Sequence, residues 1–99
     1  MGTENVQNWE KLHLFTFLDI INAQFELRRY SNQNGRWVAQ IQNCEVKEGA
    51  ILSGSYGNGK TPTEAVKDYI RQIRNKDIVL NAMSEFRKEY RVPLNIYYD

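Results

Sequence analysis

The chain has 99 residues, about the length of one domain. Its 41% apolar and 25% charged residues exclude a disordered or fibrous polymer. Thirteen Lys plus Arg against twelve Asp plus Glu give a formal charge of +1, which argues against gripping a polyanion over the whole surface.

No apolar run reaches the roughly eighteen residues of a membrane span. No basic stretch followed by an apolar one marks a secretory leader, so a cytoplasmic protein is expected. One cysteine cannot form an internal disulfide, so the core must hold by packing. Residues 1–10 are polar apart from Val6 and Trp9 and are expected to be a loose end, with Trp9 and Leu12 as anchors. Leu12 to Phe15 looks extended. Thr16 and Asp19 have capping-box spacing, which predicts a helix from Phe17 to Ala23. A competing helix starting near Asn8 would gather Leu14, Phe17, Leu18 and Ile21 on one face.

Gln24 to Ser31 and Arg36 to Cys44 read as strands. Asn34-Gly35 between them supplies the positive φ angles of a hairpin turn. After a turn over Glu45 to Gly49, Ala50 to Tyr56 reads as a third strand of a meander. Gly57-Asn58-Gly59 reads as a flexible exit. Thr61-Pro62-Thr63-Glu64 then gives an N-cap hydroxyl, a first-turn proline and a glutamate at the third helical position. Ala65, Val66, Tyr69, Ile70 and Ile73 form the apolar stripe of this second helix. Asp77 to Met83 and Lys88 to Tyr98 predict a terminal hairpin, with Tyr90, Val92, Leu94, Ile96 and Tyr98 alternating. Pro93 requires an edge position or a solvent-facing backbone site there.

Gly54-Ser55-Tyr56-Gly57-Asn58-Gly59-Lys60-Thr61 matches the phosphate-loop string G-x-x-x-x-G-K-[ST]. The mechanics oppose a nucleotide site. Pro62 removes the backbone donor that should follow the Thr, and Thr61 is needed as an N-cap. An antiparallel meander is also the wrong setting, because that loop belongs to a parallel βαβ unit. Cys44 and the only histidine, His13, lie far apart in sequence, and together they cannot make a standard zinc site. Glu45 with Glu48, and Glu85 with Glu89, read as solvated charges. Two basic groups stand out: Arg28, Arg29 and Arg36 beside Tyr30 and Trp37, and Lys67, Arg71 and Arg74 on the second helix. Such aromatics can stack on bases while the cations meet phosphates. Tyr97 and Tyr98 add aromatic surface of the kind enriched at protein interfaces.

The αβββα order over roughly residues 16 to 76 resembles the double-stranded-RNA-binding domain. Gly35-Arg36-Trp37-Val38-Ala39-Gln40-Ile41 with Thr61-Pro62-Thr63-Glu64-Ala65 also resembles small HicB-like antitoxin domains. These resemblances imply an accessory protein of phage or prophage type. The expected fold is α+β, an αβββα core with an antiparallel sheet (16–76) plus a C-terminal β-hairpin (77–98), all in one domain. The expected function is a non-enzymatic binding module acting on a protein partner, antitoxin-like or inhibitory. RNA or single-stranded nucleic-acid binding is the alternative. The candidate surface is Arg28, Arg29, Arg36, Lys67, Arg71, Arg74, Tyr97 and Tyr98. No cofactor or metal is expected, and a free strand edge with the terminal tyrosines leaves room for a homodimer.

Overall fold

The computed structural model describes residues 11–99. The expected loose end at residues 1–10 and its Trp9 anchor lie outside the described residues. The described chain is a small α+β fold with two helices and mainly antiparallel sheets. Its Cα radius of gyration, 13.8 Å, is close to the ~13 Å of a packed chain of this size.

Strand β1 is only Leu12–His13, and helix α1 follows at once as Leu14–Ile21. The helix starts earlier than the Thr16 cap implied, because His13 is the cap: its Nδ1 accepts from the Phe15 N–H at 3.1 Å. The buried face is Leu14, Phe17, Leu18 and Ile21, the set the longer-helix pattern gathered. A Schellman motif ends it: Asn22 is left-handed (φ 57°), and the Ala23 N–H donates to Leu18 O at 2.9 Å.

Strands β2 (Phe25–Tyr30) and β3 (Arg36–Ile41) form the expected antiparallel hairpin. Asn34 and Gly35 both take positive φ, 60° and 71°, after a short 3-10 turn over Ser31–Gln33. The predicted strand from Arg36 to Cys44 is broken at Gln42 and Asn43, where Asn43 turns left-handed (φ 54°). Beyond the break, the expected turn over Glu45 to Gly49 is instead mostly strand β4 (Cys44–Glu48). The expected third meander strand shortens to β5 (Ile51–Ser53), which hairpins with β4 rather than joining the β2–β3 sheet.

Gly57-Asn58-Gly59 corrects the sequence expectation. It is a strand, β6, paired with β3 from Trp37↔Gly59 to Ala39↔Gly57. The glycines let α2 (Pro62–Ile73) lie directly on the strand. A Cβ on Gly57 would fall on Ala65 O and lie 2.5 Å from the Tyr69 nitrogen. One on Gly59 would lie 2.5 Å from Glu64 Cβ.

The terminal segment is also corrected. Strands β7 (Asp77–Leu80) and β8 (Lys88–Arg91) do pair as a hairpin, but β7 also pairs with β4, giving the sheet order β5-β4-β7-β8. Ile78 and Val79 are fully buried, so this hairpin belongs to the core rather than being appended to it. The long alternating strand stops at Arg91. The Val92 N–H donates to Lys76 O, Pro93 follows, and Leu94 points outward. Strand β9 (Ile96–Tyr97) then pairs in parallel with β1, a pairing absent from the expected antiparallel scheme.

Both helices, the sheet centres, Val92 and Ile96 share one apolar cluster. Each large side chain buried there contributes roughly 1.5–3 kcal/mol. Tyr69 carries a polar group into it: its hydroxyl accepts from the Ile41 N–H at 3.1 Å and faces Cys44 Sγ at 3.9 Å.

Candidate functional site

Helix α2 is fixed at its start by the cap read from the sequence. Thr61 Oγ1 accepts from the Glu64 N–H at 3.1 Å, and Glu64 accepts from the Lys60 N–H at 2.9 Å. The Asn58 N–H donates to Asp68 at 2.8 Å. The backbone donors at Asn58, Lys60 and Glu64 are thus committed to side chains of this turn and helix. Its glycines are filled against α2, so the segment offers no open phosphate cradle.

With its apolar stripe buried, α2 presents Lys67, Arg71 and Arg74 along one flank. Strand β9 brings Tyr97 and Tyr98 to the same flank. The result is a groove of about 200 Å³ lined by Lys67, Arg71, Arg74, Tyr97 and Tyr98, with Ile70 and Ile96 as its floor. Five of the eight nominated residues therefore meet. Arg71 is paired with Asp68 at 3.1 Å, but both are partly exposed, so the pair is worth at most about 1 kcal/mol. Among the described residues, neither Lys67 nor Arg74 has a carboxylate partner.

The tyrosine wall is braced from behind. The Tyr97 ring meets His13 edge-on at 5.2 Å, and the Tyr98 ring meets Phe15 edge-on at 5.7 Å. Phe15 packs in turn on Phe25, and Lys11 Nζ lies 5.8 Å from the Tyr97 ring centre. His13 Nδ1 is occupied by the Phe15 N–H, which leaves Nε2 facing Asp99 at 3.4 Å. Sequence reasoning puts Ile96 in the alternating terminal strand but not in this groove, and it misses the His13 brace, because the β1–β9 pairing that assembles them has no local signal.

The other three nominated residues lie elsewhere. Arg28 and Arg36 share with Tyr30 the face of β2–β3 turned away from α2. Arg29 points to the opposite face, beside Gly35 at the hairpin turn. The eight residues do not form one continuous basic face.

A larger cavity, about 560 Å³, lies over the strand breaks and is lined by Ile41, Cys44, Glu45, Tyr56 and Met83 among others. Volume alone does not make it the functional site. Burial pushes the Cys44 thiol up to about 11, so it is kept protonated near neutral pH. His13 packs among Phe15, Tyr97, Tyr98 and Asp99, whereas the polar neighbour of Cys44 is Tyr69. Alkylation of Cys44 by iodoacetamide is expected to be slow at pH 8 and to keep rising with pH up to about 11, well past the pH at which a free cysteine peptide levels off. A rate at pH 8 equal to that of a free cysteine peptide would contradict this burial.

Among the described residues no cluster of three or more His, Cys, Asp or Glu side chains could hold a metal ion. No helix among them is long and apolar enough to cross a membrane. No protein family, curated protein or solved structure matches the chain.

Proposed function

We propose that this chain is a non-enzymatic binding module that takes an acidic segment of a protein partner into the groove between α2 and β9. An antitoxin-like or inhibitory accessory protein would act in this way, by covering its partner. One observation carries the proposal: Lys67 and Arg74, without carboxylate partners among the described residues, flank the braced rings of Tyr97 and Tyr98. Unpaired cations over a short apolar floor suit a few carboxylates with an apolar residue between them.

Nucleic acid is the second candidate ligand, because tyrosines can stack on bases while Lys and Arg meet phosphates. The placement of Arg28, Arg29 and Arg36 weighs against it. A backbone tracking all the cations would have to pass from the α2 flank to the far face of the sheet.

The two are separated by anisotropy titrations with a labelled oligoglutamate peptide and a labelled single-stranded RNA. The peptide is expected to bind at low salt and to weaken as salt screens the groove. Lys67→Ala together with Arg74→Ala should weaken it roughly tenfold, while Arg28→Ala leaves it unchanged. RNA binding without peptide binding would transfer the site to nucleic acid. Failure of both ligands at low salt would remove the proposal.

A further inference from the structure

Among the described residues, strand β2 leaves a whole hydrogen-bonding edge free, pairing only with β3, from Phe25↔Ile41 to Tyr30↔Arg36. The Gln42 N–H donates to Gln24 O at 2.8 Å, which makes Gln24 and Gln42 a hydrogen-bonded pair of that ladder. The antiparallel alternation then turns the N–H and C=O groups of Glu26, Arg28 and Tyr30 toward β3. Those of Phe25, Leu27 and Arg29 point outward. Among the described residues no hydrogen bond uses them, and no described strand lies against them. Leu27 is also one of the exposed large apolar residues, at 40%.

We infer that a second copy of this chain docks on this edge, β2 against β2, about a two-fold axis at Leu27. Two independent conditions select that register. Hydrogen bonding requires outward-facing residues to oppose outward-facing residues, so the axis must pass through a residue rather than between two. Charge then chooses among the axes that overlap most of β2. An axis at Glu26 sets Glu26 against its own copy, and an axis at Arg28 does the same with Arg28. Both put like charges directly opposite each other, which destabilises a sheet pair. The axis at Leu27 instead sets each Glu26 opposite the other copy's Arg28. This is a non-hydrogen-bonded pair, where opposed side chains approach most closely.

The remaining positions agree. Leu27 covers Leu27 across the axis, removing both from water. Each Phe25 lies opposite an Arg29, a pair able to make a cation–π contact. Glu26 is already held ionised, chiefly by its hydrogen bond from Arg28 and then by that from Gln40. The product is a continuous sheet of order β6-β3-β2-β2-β3-β6, in which the longest free edge of the three-stranded sheet is no longer exposed. A foreign strand could satisfy the backbone groups too, but the charge sequence of β2 is complementary to itself reversed. That is the reason for assigning the edge to a second copy.

Charge reversal tests the register. In sedimentation velocity over a concentration series, the full chain is expected to dimerise. Glu26→Arg alone and Arg28→Glu alone should each weaken the dimer roughly tenfold, because both symmetric pairs become repulsive. The double variant should recover the lost affinity. An equimolar mixture of the two single variants should form a heterodimer tighter than either homodimer, since every opposed pair is then of opposite sign. Circular dichroism of each variant checks that the strand is intact. A wild-type chain that stays monomeric throughout, single variants as tight as wild type, or a double variant as weak as the singles would overturn the inference.

Discussion

Gly57→Ala is expected to destabilise the protein by about 3 kcal/mol, the upper end of the usual cost of forcing atoms into a packed interior. The added methyl would meet Ala65 O and the Tyr69 nitrogen. Both are backbone atoms of α2, so no side-chain rotation can make room. The helix would have to lift from β6, drawing Ala65 and Tyr69 out of the core. Urea unfolding should show a lower midpoint, and the melting temperature should fall by more than roughly 10 °C. A loss below about 1 kcal/mol would mean that α2 does not sit on β6 as described. Gly49→Ala is a useful control. Its φ of +64° adds backbone strain, but no atom lies near its would-be Cβ.

Tyr69→Phe is expected to cost roughly 1–3 kcal/mol, although it deletes a single oxygen. That oxygen accepts the Ile41 N–H at 3.1 Å, and Ile41 is a buried residue. The phenylalanine ring would fill the same space but leave the amide without an acceptor, away from water. Burial holds the phenol protonated well above the ordinary tyrosine range, so the hydroxyl keeps this role across any practical pH. Urea unfolding measures the cost. Hydrogen exchange gives a sharper check, because the Ile41 amide should lose protection beyond the global change. A variant as stable as wild type would show that this hydrogen bond adds nothing net.

The sequence announced those parts of the fold whose causes are local. Asn34-Gly35 needs only its own backbone freedom to turn a hairpin, and both residues do take positive φ. Thr61-Pro62-Thr63-Glu64 starts α2 because cap and donor lie three residues apart. Gly57-Asn58-Gly59 was misread because a glycine absent a side chain for flexibility looks like one absent a side chain for close approach. Only the position of α2 distinguishes them. The first helix shows the same limit. Thr16 and Asp19 have capping-box spacing, yet His13 caps, because β1 must pair with β9 just before the helix begins.

The candidate groove was half legible. Lys67, Arg71 and Arg74 fall on one helical flank by spacing alone. Tyr97 and Tyr98 were notable only as adjacent aromatics. What joins the two groups is the parallel contact of Leu12 with Ile96 and of His13 with Tyr97, and residues so distant in sequence leave no periodic trace. The split of Arg28 and Arg29 to opposite faces does follow from strand alternation. A hairpin reading alone could not say which face α2 would cover.

The β1–β9 pair also sets an order of events during synthesis. Chains fold as they emerge, N-terminal parts first, and contacts between distant segments form late. The β2–β3 hairpin can close early, and α2 can settle on β6 once it has been made. Leu12 and His13 must wait for Ile96 and Tyr97. Until then Lys67, Arg71 and Arg74 lie along an unwalled helix flank, and the His13 ring lacks its tyrosine neighbours. A nascent chain would therefore carry its cations before it had a groove to put them in, and the groove itself would be complete only once β9 had paired with β1.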